Sequence, residues 1–329
     1  MDSFTSAKPF GEQGEAARVI VTGTHVAKSW GARPVFGDST FIIEPGVTGL
    51  LGANGSGKTT LFGMMLGLHA PTAGSLRVLD LDPITSGPIV RQRLGYSPEH
   101  EALPADMTAY DFVRHVAELH GLPRRAAAGR ASDALYEVGL GEERARPCGT
   151  MSTGQKQRVK LAQAIAHDPK LVLLDEPTNG LDPIQRNDML QLIYRCGHDL
   201  GLSVIVSSHL LDEIQRTCDR VVIIANGVIS EGGEIAETNR QQVGPLLVEL
   251  ASSETGSAPF VRSLQQRGVD VIHNPANELA IHTVLTIDPD SHPHVHDMVM
   301  ATAAELGVGI RSMKRQTRTL EDVFFEATA

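Results

Sequence analysis

Short apolar runs, each ending in polar or glycine-rich sequence, recur through the first part of the chain. Three of them, Val47–Leu51, Leu171–Leu174 and Ser203–Val206, have the composition of strands buried on both faces. Segments with helical spacing alternate with these runs, which predicts a largely parallel sheet covered by helices. Because parallel strands end at the same edge of their sheet, we expect the polar segments that follow them to carry the chemistry.

The pattern becomes mainly helical between about residues 99 and 150. Apolar residues recur at helical spacing over Met107–Leu122 and Ala126–Val138, with a break at Gly121-Leu122-Pro123. We interpret this block as a helical subdomain inserted into an α/β core that extends from residue 18 to about residue 240. Residues 1–17 are polar, and we expect them to form a flexible tail.

The pattern changes again after about residue 240. Strand and helix patterns follow in the order strand, helix, two strands, helix, strand. This order is typical of a split βαβ unit, so we expect residues 241–329 to form a separate small α+β domain. The predicted segments are Leu246–Leu250, Pro259–Arg267, Val269–Ile272, Leu279–Leu285, His294–Leu306 and Val308–Met313.

Composition excludes several classes of function. The net charge of -10 over 329 residues argues against nucleic acid as a partner, because binding to phosphate backbones depends on clustered Lys and Arg. No run approaches the ~18 apolar residues of a membrane span, and the N-terminal segment lacks the apolar core of a secretion signal. We therefore expect the chain itself to be cytoplasmic. Cys148, Cys196 and Cys218 lack the spacing of metal ligands and should be buried small side chains.

A glycine-rich segment lies between the Val47–Leu51 strand and a helix predicted from about Lys58 to Leu68. It fits the phosphate-binding pattern GxxxxGK[ST], the Walker A motif. Glycines let successive N–H groups turn towards phosphate oxygens, and the helix N-terminus favours anions. We predict that Lys58 contacts the β- and γ-phosphates of ATP and that the Thr59 hydroxyl is a ligand of Mg²⁺. The candidate nucleotide-binding residues of this motif are Gly52, Asn54, Gly55, Ser56, Gly57, Lys58, Thr59 and Thr60.

Two acids, Asp175 and Glu176, follow the buried run Leu171–Leu174. Such a pair alone is more often an ordinary strand end. Combined with a phosphate loop it predicts catalysis. Asp175 would then hold Mg²⁺ as the Walker B acid, and Glu176 would polarise the attacking water as general base.

Further motifs resemble those of one family of ATPases. The segment Met151-Ser152-Thr153-Gly154-Gln155-Lys156-Gln157-Arg158 resembles the signature motif of ABC ATPases, and Asn179-Gly180-Leu181-Asp182 resembles their D-loop. His209 is similar in position to the switch histidine, and Trp30 to an aromatic residue that stacks on adenine. The ordered set, over about residues 18–238, resembles the ATP-binding subunits of ABC transporters. It implies a P-loop NTPase (ABC ATPase) core of α/β class with an inserted helical subdomain.

The resemblance also implies a head-to-tail dimer with two ATP molecules at its interface. The partner would be a second copy of the chain or a paralogous ATPase. Each ATP would lie between the Walker A loop of one subunit and Ser152, Thr153, Gly154 and Gln155 of the other. His209 would act in catalysis at the γ-phosphate, and Asp182 would help to align the opposite site. The implied activity is ATP hydrolysis coupled to transport.

Two motifs depart from the family pattern. In Gly95-Tyr96-Ser97-Pro98-Glu99, Glu99 stands where the family usually has glutamine. It can approach Mg²⁺ and the lytic water, so it is a candidate nucleotide and metal contact, but it adds negative charge near the γ-phosphate. In the signature, Thr153 replaces the first glycine and Met151 replaces leucine. Thr153 restricts the backbone beside the phosphate, which predicts slow turnover in an enzyme that is still active.

The direction of transport is suggested by the end of the chain. Thr319-Leu320-Glu321-Asp322-Val323-Phe324 resembles the ending of ATPase subunits from drug and antibiotic exporters, whose permeases are separate chains. This resemblance implies a permease partner, contacted by the groove near Glu99 and the Met107–Leu122 helix, and a position on the cytoplasmic face of the membrane. Two alternatives stay open. One is a soluble ABC ATPase that acts on a cytosolic machine such as the ribosome, and the other is an importer ATPase.

Three histidines alternate near the predicted last helix. His292, His294 and His296 are suited to Zn²⁺ or Ni²⁺ by residue type. The sequence offers no evident fourth ligand, which favours an ordinary polar helix start.

Overall fold

The computed structural model describes residues 19–100, 103–235, 243–250, 257–273, 284–287 and 294–317. The predicted tail over 1–17, the Thr319–Phe324 segment and His292 lie outside the described residues. The described residues form two compact units, one that ends at Ile235 and one that comprises the described residues from 243 onward. No helix in the described ranges combines the length and the apolar character that a membrane crossing requires.

A six-stranded sheet forms the centre of the first unit, in the strand order β5-β6-β7-β3-β8-β9. The first five strands in that order are parallel, and β9 pairs antiparallel with β8. The prediction of a largely parallel sheet is therefore confirmed. The strands are β3 (Val47–Leu51), β5 (Leu94–Ser97), β6 (Leu171–Leu174), β7 (Ser203–Ser208), β8 (Arg220–Ala225) and β9 (Val228–Glu234).

A second, antiparallel sheet has the order β2-β1-β4, with strands at Val21–Trp30 (β1), Arg33–Ile43 (β2) and Ala73–Val78 (β4). Helix α1 (Lys58–Met65) contributes side chains to a core cluster that includes residues of both sheets. Leu61, Phe62 and Met64 are completely buried in that cluster. Because this helix follows the glycine-rich loop, its burial gives the loop a rigid support.

The inserted block is helical, as its periodicity predicts. Its first two helices are shorter or shifted by a few residues against the predicted segments, and Gly121, with φ of 96°, lies in the turn between them. The first of them, α3 (Ala109–Leu119), begins after Thr108, whose side chain accepts a hydrogen bond from Asp111 N over 3.0 Å. The helices of the unit after α1 are α2 (Gly87–Gln92), α3 (Ala109–Leu119), α4 (Arg124–Glu137), α5 (Thr153–Ile165), α6 (Pro183–His198) and α7 (Leu211–Thr217). Short 3₁₀ turns lie at Glu143–Ala145 and Cys148–Thr150.

The second unit is a four-stranded antiparallel sheet with two helices, and its strand order is β11-β12-β10-β13. This is the topology of a split βαβ unit, as the element order predicts. Its core contains Val248, Phe260 and Val299. The elements are β10 (Val243–Leu250), α8 (Ser257–Gln266), β11 (Val271–His273), β12 (Val284–Ile287), α9 (Val295–Leu306) and β13 (Ile310–Thr317).

Candidate functional site

The glycine-rich loop connects the end of β3 to the first turn of α1. Gly55 and Gly57 have φ of 81° and 111°, in the region that side-chain-bearing residues avoid. A Cβ on Gly57 would approach Val35 and Phe36 at 2.7 Å, whereas a Cβ on Gly55 would meet nothing within 4 Å. Gly57 is thus required by packing, and the backbone at Gly55 is open to the outside. The first turn of α1 has N–H groups without intrahelical acceptors, which suits an anion.

Lys58 is buried at the start of α1, with 6% of its side chain exposed. Its ammonium group donates to Gly52 O over 2.7 Å and to Ala53 O over 3.3 Å. It also lies 3.0 Å from Glu176 Oε1, in an ion pair without hydrogen-bond geometry. The loop therefore places the Lys58 ammonium group beside Glu176, just after the end of β6.

Asp175, at the end of β6, connects that strand to helix α1 and to strand β7. Its carboxylate accepts from Thr59 Oγ1 over 2.8 Å and from Ser207 Oγ over 2.7 Å. Burial raises the pKa of Asp175 above its ordinary value, and the carboxylates of Glu99 and Glu176 raise it further, against the two hydrogen bonds. The cleft thus gathers more negative charge than Lys58 alone offsets, which is the setting that a divalent cation would stabilise.

Glu176 has φ of 44°, a strained conformation for a residue with a side chain. Its N–H donates to Ser207 Oγ over 2.9 Å, and its Oε2 accepts from His209 Nδ1 over 2.9 Å. The side chain is buried, with 6% exposed. Ser207 of β7 and His209, which follows β7, hold Glu176 in this strained conformation, so the protein itself orients the carboxylate.

Lys58, Thr59, Asp175 and Glu176 line one cleft of about 600 Å³, a size that suits a nucleotide. Trp30 lies at the rim with 47% of its surface exposed. Lys28 Nζ lies 4.3 Å from the centre of the Trp30 ring, and His69 packs edge-on against that ring at 4.7 Å. The lining consists of Trp30, Arg33, Pro34, Val35, Asn54, Gly55, Gly57, Lys58, Thr59, Thr60, Glu99, Asp175 and Glu176.

Other predicted residues lie away from this cleft. Ser152 is exposed and caps α5: its hydroxyl accepts from Gln155 N, and Gln155 Oε1 accepts from Ser152 N. Asp182 caps α6 by accepting from Ile184 N and Gln185 N. Thr153 is exposed on the first turn of α5, and Gly154 packs against Gln185. Within one chain, the structure does not bring these residues to the Lys58 loop.

Two supporting residues escaped the sequence reasoning. Ser207 bridges Asp175 and the Glu176 backbone, as described above. Glu213 is buried, with 4% exposed, and accepts from Thr178 Oγ1 and Ser208 Oγ, each over 2.8 Å. The signal available in the sequence was the polar pair Ser207-Ser208 at the end of an apolar strand, immediately before His209.

The residues at the cleft fit Mg²⁺ and a triphosphate. Oxygen atoms of Thr59 and Asp175 are the hard ligands that Mg²⁺ prefers, and Mg²⁺ usually takes only one or two protein ligands beside phosphate and water. None of the residues that the structure describes form a group of three or more His, Cys, Asp or Glu placed to hold a metal. His294 and His296, which are among the described residues, therefore belong to no such group.

Comparisons with known proteins bear on the family and the fold of the chain. Residues 37–179 match the family described as ABC transporter. The chain is 32% identical to the uncharacterized ABC transporter ATP-binding protein YxlF of Bacillus subtilis over 88% of this chain and 92% of that protein. It is 28% identical to the linearmycin resistance ATP-binding protein LnrL of the same organism, over 94% and 98% of the two chains. It is 30% identical to the methionine import ATP-binding protein MetN 1 of Acinetobacter baylyi, over 77% of this chain and 69% of that protein.

A solved structure of cbiO1 from Clostridium perfringens, part of the ABC transporter complex cbiONQ, superposes with a TM-score of 0.62 at 26% identity. The superposition covers 67% of this chain and 90% of that one. The ABC ATPase fold is therefore confirmed. Together, the family match and the similarity to YxlF over nearly its whole length show that this chain belongs to the ATP-binding, ATP-hydrolysing subunits of ABC transporters.

Proposed function

We propose that the cleft binds ATP with Mg²⁺ and that Glu176 activates the water that attacks the γ-phosphate. One observation carries this proposal: Lys58, Thr59, Asp175 and Glu176 converge in a single cleft. The Gly52–Gly57 loop and Lys58 would hold the β- and γ-phosphates, and Trp30 would stack on the base. Thr59 and Asp175 would hold Mg²⁺, with Glu99 beside them. When bound, Mg²⁺ would neutralise charge on the phosphate oxygens.

The contacts of Glu176 suit a general base. Its Oε1 has no hydrogen-bond donor, so it is able to accept a proton from water. Its Oε2 is oriented by His209, and its backbone by Ser207. With phosphates in the cleft, Lys58 would turn from Glu176 towards them, which removes a cation that opposes protonation of the carboxylate. His209 would keep the carboxylate in place and reach the γ-phosphate.

The residues outside the cleft fit a second role. Ser152 to Gln155 form the capped N-terminus of the 13-residue helix α5, where Ser152 and Thr153 are exposed. In a head-to-tail dimer this terminus would complete the cleft of the partner, with Asp182 beside it. The hydrolysis of ATP would then remove the ligand that joins the two protomers.

We infer an exporter rather than an importer from how far the similarity extends. The match to LnrL spans 315 residues, more than the predicted ATP-binding domain holds, so it includes part of 241–329. The match to MetN 1 leaves out about a third of that protein. The proposed partner is a membrane permease on a separate chain, docked near Glu99 and α3, which would hold this subunit at the cytoplasmic face of the membrane.

Replacing Glu176 by Gln tests the catalytic proposal. The amide cannot take a proton from water, so phosphate release should fall by at least about 100-fold while ATP binding persists. ATP should then hold the variant as a dimer in gel filtration. Glu142→Gln, a similar change at an exposed position, is the control. Turnover of Glu176→Gln at the rate of the control would exclude Glu176 as the base.

The exporter proposal is tested with the permease encoded beside this chain. Co-expression should raise resistance to one of a panel of antibiotics that includes bacitracin and linearmycin, and inside-out vesicles should accumulate that compound when ATP is added. Lys58→Ala should abolish both effects. ATP-dependent uptake of a solute such as methionine into cells would instead show an importer.

A further inference from the structure

Glu99 stands where the family usually has glutamine. Both its carboxylate and its backbone carbonyl accept hydrogen bonds from other elements. Its carboxylate accepts from Asn179 Nδ2 over 3.1 Å, and its backbone carbonyl accepts from Lys160 Nζ over 3.0 Å. Lys160 lies on α5 with 2% of its surface exposed. A buried ammonium group at a backbone carbonyl is costly to move, so this contact fixes the path of the chain at Glu99.

The second anchor belongs to the loop that follows the catalytic acid. Asn179 N donates to Glu176 O over 3.1 Å, and Asn179 O accepts from Gln157 Nε2 of α5 over 3.4 Å. The loop therefore rests on the same helix that carries Lys160. Both residues that hold Glu99 are therefore supported by α5: Lys160 lies on this helix, and Asn179 is hydrogen-bonded to it. The signature segment forms the start of the same helix.

Glu99 lies between two adjoining cavities. On one side is the nucleotide cleft, and on the other is a cavity of about 290 Å³ lined by Lys160, Asn179 and the signature residue Thr153 among others. Because a carboxylate has no donor of its own, its direction is set by the donors around it. The Asn179 amide provides such a donor on the side of the smaller cavity.

We propose that Lys160 and Asn179 are positioning residues that set the distance of Glu99 from the metal in the nucleotide cleft. In this arrangement a displacement of α5 is passed to Glu99 along two routes: directly from Lys160 to the backbone carbonyl, and from Gln157 through Asn179 to the carboxylate. The chain thereby couples its signature helix to its own metal site. This inference rests on the proposed binding of ATP with Mg²⁺.

The test separates binding of nucleotide from binding of metal. Trp30 is the only tryptophan in the chain, so its fluorescence reports ATP binding at the cleft. ATP is titrated in EDTA and then with Mg²⁺ in excess, and the gain in affinity due to Mg²⁺ is the readout. Lys160→Met and Asn179→Ala should leave the affinity in EDTA unchanged and reduce the gain by at least about threefold, since small displacements at a reacting centre have large effects. Their kcat should fall, and their KM for ATP in the presence of Mg²⁺ should rise by about the factor by which the gain is reduced.

Two controls make the result specific. Lys170→Met applies the same chemical change to an exposed lysine near the end of α5, and it should behave as the wild type. In a Glu99→Ala background the acceptor for Asn179 is gone, so adding Asn179→Ala should reduce the gain no further. Additive losses in that double variant would show that Asn179 acts elsewhere and would overturn its part of the proposal.

The possible failures are distinguishable. If the wild type gains affinity with Mg²⁺ and both Lys160→Met and Asn179→Ala keep the full gain, the positioning inference is wrong while the metal site stands. If the wild type itself shows no gain, the proposed metal role of the cleft is wrong, and the inference fails with it. Thermal unfolding of each variant identifies any loss that comes from misfolding, and a folded Lys160→Arg variant should recover the gain because it keeps the charge and a donor.

Discussion

Lowering the pH from about 7 to about 5 should destabilise the first unit, and His167 should account for about 2 kcal/mol of that loss. His167 is buried between α5 and β6, with 7% exposed. Its Nε2 donates to Leu94 O over 3.0 Å, while its Nδ1 is buried without a hydrogen-bond partner. Burial, together with smaller effects of the neighbouring His120 and Arg130, lowers the pKa of His167 to about 3, against the opposing effect of the Leu94 hydrogen bond.

The sign and size follow from the two protonation states. In the unfolded chain His167 has a pKa of about 6.5, so it takes up a proton as the pH falls below that value. In the folded chain a proton on Nδ1 would lie buried against the ring of His120, stacked at 3.7 Å, so the native state stays neutral down to about pH 3. Stability is lost across that window at about 1.4 kcal/mol per pH unit, or about 2 kcal/mol at pH 5.

The assay is urea unfolding followed by Trp30 fluorescence, which reports on the first unit alone. His167→Gln keeps a donor for Leu94 O but does not titrate between these pH values. The carboxylates are common to both proteins, so the difference in their pH dependence isolates His167. The wild type should lose about 2 kcal/mol more than His167→Gln between about pH 7 and about pH 5. Equal losses would refute the assignment of a neutral, buried His167.

Three further predictions concern the nucleotide cleft. Lys58→Ala should weaken ATP binding by at least about tenfold, because it removes a charge-assisted contact to phosphate, and calorimetry showing normal affinity would count against the site. Lys28→Met should shift the emission of Trp30 and weaken ATP binding by about two- to fivefold, since the cation on the ring is lost. Lys170→Met is the control. Unchanged emission of Lys28→Met would mean that Lys28 does not hold the ring. Glu99→Gln should preserve ATP binding and change the rate of phosphate release, and an unchanged rate would make the departure from glutamine neutral.

The centre of the fold was predictable because its strands are buried on both faces. Leu171–Leu174 is an unbroken apolar run in the sequence and a fully buried strand in the structure. The antiparallel sheet was not predicted. Strand β1 has register shifts on both sides, between Gly23 and Val26 against β2 and between Thr24 and Ala27 against β4. Such irregularities disrupt the alternation of apolar and polar positions from which a strand is recognised.

For the site, residue types and their order were readable from the sequence, but the contacts between them were not. Lys58, Asp175 and Glu176 follow strands, and strand ends in a parallel sheet share an edge. Ser207, Lys160 and Asn179 lie far along the chain from the groups that they bind, and hydrogen bonds of this kind leave no periodic pattern in the sequence. The extent of α1 was also overestimated: it ends at Met65 because Gly67, with φ of 71°, turns the chain.

The capping contacts of α5 bear on the proposed dimer. A serine hydroxyl has one donor and two acceptor positions, and Ser152 uses an acceptor position for Gln155 N. Its O–H remains able to donate to a phosphate oxygen of the partner, so the cap and the proposed contact are compatible. Asp182 differs, because an ionised carboxylate only accepts, and it already accepts from two backbone N–H groups at its own helix. A direct contact of Asp182 with phosphate would be repulsive, which leaves alignment of the partner's loop as the role consistent with its charge.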